Sequence, residues 1–206
     1  MKILRIIICL QAMLWLVGCT PPVVKDSTDT VINWKAYQQA LGEIKHWEIS
    51  GRIAVQTADN GGQADYTWKQ KSLSHYDIRL QAPLGAGTTW IEARAHGVRL
   101  RSSNGDQLVD SNVDNLMHRM NGWPLPVSGL RYWVRGLPSP DSEHKITEWN
   151  ENGLPAVIMQ DGWRVEFRKH KKVSGQLLPG KLFINRQGEE EVDVRLIIRQ
   201  WNIERV

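Results

Sequence analysis

The stretch WEISGRIAVQTADNGGQADYTW (residues 47–68) decides the fold. Trp47, Ile49, Gly51, Ile53 and Val55 alternate with more polar neighbours, the two-residue period of a strand that buries one face. Asn60-Gly61-Gly62 is a hairpin signal, and Ala64, Tyr66 and Trp68 then resume the alternation. Two strands joined so tightly pair antiparallel. The same grammar extends outward. Tyr76, Ile78, Leu80 and Ala82 form a third strand, and Thr89, Ile91, Ala93 and Ala95 a fourth beyond Pro83-Leu84-Gly85-Ala86-Gly87. Val98 and Leu100 continue the meander to a turn at Asn104-Gly105.

Helical spacing appears at three places. Asn33 suits the cap of a helix whose apolar side is Trp34, Tyr37, Leu41 and Ile44. Ser111, with Asp114 three residues on, resembles a capping box before the stripe Val113, Leu116, Met117 and Met120. Ser128 suits the cap of a third helix carrying Leu130, Trp133, Val134 and Leu137, with Gly136 to stop it. Strands return at 146–149, 155–160, 163–169, 181–186 and 192–203, separated by Asn152-Gly153, Asp161-Gly162 and Gln187-Gly188. The expected fold is mainly β with helices. About eleven antiparallel strands curl into a half-open barrel, and three short helices form a lid over its concave side.

The N-terminus reads as an export signal. Lys2 and Arg5 precede an apolar run, Ile6–Val17, broken only by Gln11. Such a run is shorter than the ~20 residues that span a bilayer. It ends in Leu16-Val17-Gly18-Cys19, which resembles the bacterial lipobox. That resemblance implies a signal peptide over 1–18 and, at Cys19, a covalent diacylglycerol and N-acyl chain. Residues 19–32 are then a lipidated, polar tether containing Pro21-Pro22, and 33–206 form one domain. The second cysteine, Cys9, lies in the segment to be removed, so core packing alone must hold the mature fold.

Loss of Lys2 and Arg5 lowers the formal charge from +4 to +2, and no nucleic-acid footprint is evident. Arg168-Lys169-His170-Lys171-Lys172 reads as a solvated turn, with contact to anionic lipid as the sharper alternative. The six histidines are scattered, Ser128 lacks the context of a nucleophile elbow, and Glu189-Glu190-Glu191 reads as a turn. Nothing argues for an enzyme, a metal or a soluble cofactor. What stands out is ten tryptophans against two phenylalanines. Trp34, Trp68, Trp133 and Trp163 fall on inward faces or helix stripes, and with Met117 and Met120 they suit a pocket for a greasy ligand. Competing readings are an assembly lipoprotein that binds a protein segment on its concave face, and a lipid-modifying enzyme with a polar cluster inside the cavity.

The segment GWPLPVSGLRYWVRGLP (residues 122–138) closely resembles the most recognisable part of the LolB family of outer-membrane lipoprotein receptors. Asn33-Trp34, Gly51-Arg52, Trp68, Pro83-Leu84-Gly85 and Arg199-Gln200-Trp201 also look like that family. The resemblance implies a half-barrel with a helical lid over an apolar cavity. It also implies a monomer that accepts triacylated lipoproteins from a LolA-type periplasmic carrier and inserts them into the outer membrane, from an anchored position on its periplasmic face. Thr20, where aspartate would favour inner-membrane retention, agrees. The acyl-chain cavity is expected at Trp34, Trp68, Leu116, Met117, Met120, Leu130, Trp133 and Trp163. By the same resemblance Pro83, Leu84 and Gly85 form a loop whose leucine enters the membrane.

Overall fold

A computed structural model describes residues 32–121, 125–186, 188 and 191–204, except the side chains of Met120 and Asn121. The signal segment, Cys19, Thr20, the rest of the tether through residue 31, Trp123, Glu189 and Glu190 lie outside the described residues. The chain runs through α1 (Trp34–Gly42), β1 (Trp47–Thr57), β2 (Gly61–Ser72), β3 (His75–Gln81), a 3-10 turn (Pro83–Gly85), β4 (Thr88–Arg94), β5 (Gly97–Ser102) and β6 (Gln107–Asp110). There follow α2 (Val113–Asn121), α3 (Val127–Trp133), β7 (His144–Trp149), β8 (Pro155–Gln160), β9 (Trp163–Arg168), β10 (Lys171–Val173), β11 (Gln176–Leu178), β12 (Lys181–Arg186) and β13 (Val192–Ile203). Among the described residues no helix is long and apolar enough to cross a membrane.

Eleven strands make one antiparallel sheet in the order β6-β5-β4-β3-β2-β1-β13-β12-β9-β8-β7. The remaining two, β10 and β11, pair only with each other. This is the expected curved sheet, with one arrangement that periodicity could not supply. The first strand and the last pair at its centre, from Trp47 opposite Ile203 to Thr57 opposite Val192. Each half of the chain then meanders outward to its own edge.

Alternation decides which face is buried. Trp47, Ile49, Gly51, Ile53 and Val55 all point inward, as do Ala64, Tyr66 and Trp68. Gly51 is required at its position. A Cβ there would lie 1.8 Å from the Ile197 carbonyl oxygen, because the β1–β13 register slips beside it. Tyr66 sits opposite Gly51 on β2, and its hydroxyl reaches across to donate to that same Ile197 oxygen at 3.3 Å. The ring thus covers the face the glycine leaves bare. Burial pushes the Tyr66 phenol up from its ordinary value. On the outer face Arg52 and Arg199 both reach Asp65, at 3.1 and 3.3 Å.

Local details correct the sequence reading. The β1–β2 turn falls at residues 58–60, held by the Thr57 hydroxyl and the Asn60 backbone, while Gly61 and Gly62 open β2. Asn33 caps α1 as expected, accepting from the Ala36 N–H at 3.2 Å. The basic stretch 168–172 is no simple turn. It ends β9 and starts the β10–β11 hairpin, whose turn residues Ser174 and Gly175 both have positive φ.

Gly51→Ala should lower stability by about 1–3 kcal/mol, since backbone rather than a yielding side chain occupies the space. Urea unfolding followed by tryptophan fluorescence would measure it.

Candidate functional site

Two short helices close the concave face. Val113, Leu116 and Met117 of α2 and Val127, Leu130 and Trp133 of α3 join the same buried cluster as Trp47, Trp68, Tyr76 and Trp163. Their ends are set differently from the expected pattern. Asn112, not Ser111, caps α2, accepting from the Asp114 N–H at 2.8 Å. Ser128 is not a cap but lies in the first turn of α3. There its N–H donates to Asp114 at 3.1 Å and its hydroxyl to the other oxygen of the same carboxylate. An acid on one lid helix therefore satisfies the positive end of the next. Gly136 ends α3 as predicted, at φ 79°, with Gly136 N–H to Trp133 oxygen and Leu137 N–H to Tyr132 oxygen.

Polar groups fasten this lid. Trp133 is 1% exposed, and its indole N–H donates to the Gln160 amide oxygen at 2.9 Å. Gln160, itself 3% exposed, also accepts from the Ser139 N–H and donates to the Ser139 and Ser142 carbonyls, so the amide is fully used. The clip joins α3, the loop after it and β8. A second glutamine serves the sheet: Gln70 accepts from the Trp68 indole at 2.8 Å. Arg131 donates to the Leu73 carbonyl at 2.9 Å, and Arg135 to those of Leu41 and Ile44. Among the described residues Arg135 has no carboxylate partner, and burial pulls its guanidinium down to about 10.

The expected cavity residues divide. Trp68, Leu116, Met117, Leu130, Trp133 and Trp163 come together, all within one close-packed cluster beneath the lid. Trp34 does not join them. It packs edge-on against Trp149, ring centres 6.0 Å apart, beside a smaller cluster of Leu41, Leu137 and Leu178. Met120 lies on α2, and its side chain is outside the described residues.

Leu84 stands apart from all packing. It is 106% exposed, with φ 55° and ψ 23°, the left-handed conformation that β-carbon sterics penalise. Pro83 fixes the approach, and Gly85 follows with φ 75°. The side chain does not fold back under its loop. A leucine presented this way is held at a cost in backbone strain and with no burial in return.

At the opposite end of β3 lies a groove of about 600 Å³. Ile44, Trp47, Leu73 and Tyr132 give it apolar walls, and Lys45, Lys71, Arg131 and Arg135 stand among them.

A sequence profile described as outer membrane lipoprotein LolB matches residues 45–201. The protein is 32% identical over 201 residues to the outer-membrane lipoprotein LolB of Pseudomonas aeruginosa, covering 96% of each chain. It is 34% identical over 168 residues to that of Pseudomonas putida, covering 82% of this chain and 80% of the other. The chain belongs to the LolB family. Among solved structures, a LolA-superfamily protein from Nitrosomonas europaea superposes with a TM-score of 0.54 over 85% of this chain and 95% of its own, at 8% identity. At that identity the likeness concerns the fold alone.

In this LolB-family member, sequence reasoning missed Gln160 and Arg135, and it read Asp114 only as the partner of a Ser111 cap rather than of Ser128. A signal existed for the first: a glutamine at an inward register position, just before Asp161-Gly162, in a chain rich in indole N–H groups. Gln160→Leu should cost about 1–3 kcal/mol in denaturant unfolding, because the Trp133 and Ser139 N–H groups lose their acceptor. Leu84→Gly should instead raise stability by about 1 kcal/mol, read the same way, by releasing the left-handed strain.

Proposed function

We propose that this protein is the outer-membrane receptor that accepts mature, triacylated lipoproteins from a LolA-type periplasmic carrier and inserts them into the outer membrane. The observation that carries the proposal is membership of the LolB family over residues 45–201, joined to a large apolar face closed by short helices. Cys19 anchors the chain by its own lipid to the periplasmic face of that membrane, and the domain acts there as a monomer.

Cargo acyl chains enter between the lid and the sheet, against Trp68, Leu116, Met117, Leu130, Trp133 and Trp163. Met120 adds to this wall, and Trp34 flanks it from the smaller cluster. Trp68, Leu116, Met117, Leu130, Trp133 and Trp163 are packed together in the closed form, so α2 and α3 must lift to admit lipid. Each methylene kept from water is worth about 0.8 kcal/mol, so the chains pass directly from one apolar cavity to another. The lid surface exposed on opening is replaced by acyl contacts, and the handover needs no nucleotide and no catalytic group. The Pro83-Leu84-Gly85 loop then touches the bilayer. One buried leucine contributes about 1.5–3 kcal/mol, enough for a transient contact and too little for an anchor.

The test is transfer of a labelled lipoprotein from purified carrier to this protein and then to liposomes. Leu84→Glu should fold normally, since its side chain touches nothing, accept cargo at the wild-type rate, and deliver it at least tenfold more slowly. Failure of the first step in the wild type overturns the receptor assignment. Normal delivery by Leu84→Glu overturns the role of the loop.

A further inference from the structure

The groove at the far end of β3 from Leu84 has a charge pattern that the handling of neutral acyl chains does not require. Its walls are apolar, and its volume of about 600 Å³ is that of a site for one small ligand rather than for three acyl chains. Among the described residues no carboxylate lines it. Among the described residues none of Lys45, Lys71, Arg131 and Arg135 has an acidic partner. Most of the other described arginines are matched: Arg52, Arg94, Arg101, Arg119, Arg164, Arg168 and Arg199 meet carboxylates within 4 Å, whereas Arg79, Arg99, Arg186 and Arg195 are spread singly over other strands. Glu43 and Glu204 line a neighbouring depression, which shares Lys45 and His46 with the groove.

The two arginines are also held in place. Arg131 is fixed by the Ser128 and Leu73 carbonyls and lies 5.8 Å from the Tyr76 ring centre. Arg135 is fixed by the Arg131, Leu41 and Ile44 carbonyls and lies 5.4 Å from that of Tyr132. In each guanidinium these bonds use Nε and one terminal nitrogen, leaving the other with donors to spare. Backbone carbonyls and ring faces orient the cations but do not neutralise them. Such preorganised, uncompensated charge beside apolar walls is complementary to an anionic amphiphile.

We propose that this groove binds a single long-chain fatty acid, its chain against Ile44, Trp47, Leu73 and Tyr132 and its carboxylate on Lys71 and the two arginines. The linked lipids of a lipoprotein carry no charge at their thioether, ester and amide positions, so cargo chains leave these cations unmatched, whereas a free carboxylate satisfies them. Leu73, 62% exposed on the β2–β3 turn, forms the outer lip.

The experiment is titration of the purified, delipidated protein with cis-parinaric acid and with its methyl ester, followed by probe emission and tryptophan quenching. The acid should bind saturably, one per protein, and the ester at least about tenfold more weakly, the loss of one charge-assisted contact. Lys45→Gln with Lys71→Gln changes two exposed side chains that hold nothing else, and it should weaken the acid alone by a similar factor at unchanged unfolding midpoint. Leu73→Asp should weaken both probes without altering the concave core. Equal affinity for acid and ester means an uncharged occupant and overturns the proposal. So does wild-type affinity in the lysine double variant, or in Leu73→Asp, which would put the probe beneath the lid instead. Lipoprotein transfer is scored separately, so fatty-acid binding without cargo transfer would overturn the receptor reading and leave this one standing.

Discussion

Everything in this domain hangs on the ladder between β1 and β13. These are among its longest strands, and they join residues some 150 positions apart. The ladder is also where the backbone is most crowded, with the Ile197 oxygen lying where any Cβ on residue 51 would have to sit. Gly51 permits the approach, the register slip takes up one residue of β13, and Tyr66 refills the inner surface while bonding to the same oxygen. A bulge of this kind increases local twist. Sheets that twist at their centre curl toward one face, and that curl makes the inner side concave. The two meanders on either side then need no connection to each other apart from the lid.

A concave apolar face eleven strands wide cannot be left in water. Its cover is small by comparison, two helices of nine and seven residues, below the length at which a helix is stable by itself. The lid therefore borrows its order from the sheet, through apolar contacts and a few directional tethers. Asp114 links the helices to one another, Gln160 links α3 to β8, and Arg131 and Arg135 reach the β2–β3 turn and the end of α1. Apolar contacts are non-directional and can be exchanged for acyl chains at little net cost. The tethers are what make the closed position specific.

The strands were legible in the sequence because burial on one face writes a two-residue period, and Trp47–Val55 keeps that period without a break. Helix positions were legible from apolar stripes, but their caps were not. Ser111 and Asn112 are chemically equivalent candidates one residue apart, and only geometry chooses between them. Ser128 has the right side chain for a cap yet meets an acid from another helix, a contact with no local signature. The same limit applies to the site. Inward register put Trp68 and Trp163 in the central cluster and helical periodicity put Trp133 there, whereas Trp34 went elsewhere because α1 packs on the β10–β11 hairpin, which the sequence did not reveal. That an indole N–H needs an acceptor is general. That Gln160 supplies it across 27 positions is a fact of tertiary structure.

Strand β3 separates the two unusual surfaces. Leu84 follows its C-terminal end, and Leu73 precedes its N-terminal end, so the seven residues of β3, roughly 23 Å of extended chain, lie between them. Both leucines are exposed, yet their settings differ. Leu84 is flanked by proline and glycine in a strained turn whose own residues, 81–87, carry no charge. Leu73 stands beside lysines and arginines, the design of a mouth for an anion with a tail. If Leu84 reaches into a bilayer with β3 upright, that strand holds the basic groove on the order of 20 Å from the surface. A ligand in the groove would then come from the aqueous side rather than from the membrane the loop touches. One sheet thus carries an exposed apolar turn at one end of β3 and a basic groove, walled in part by α3, at the other.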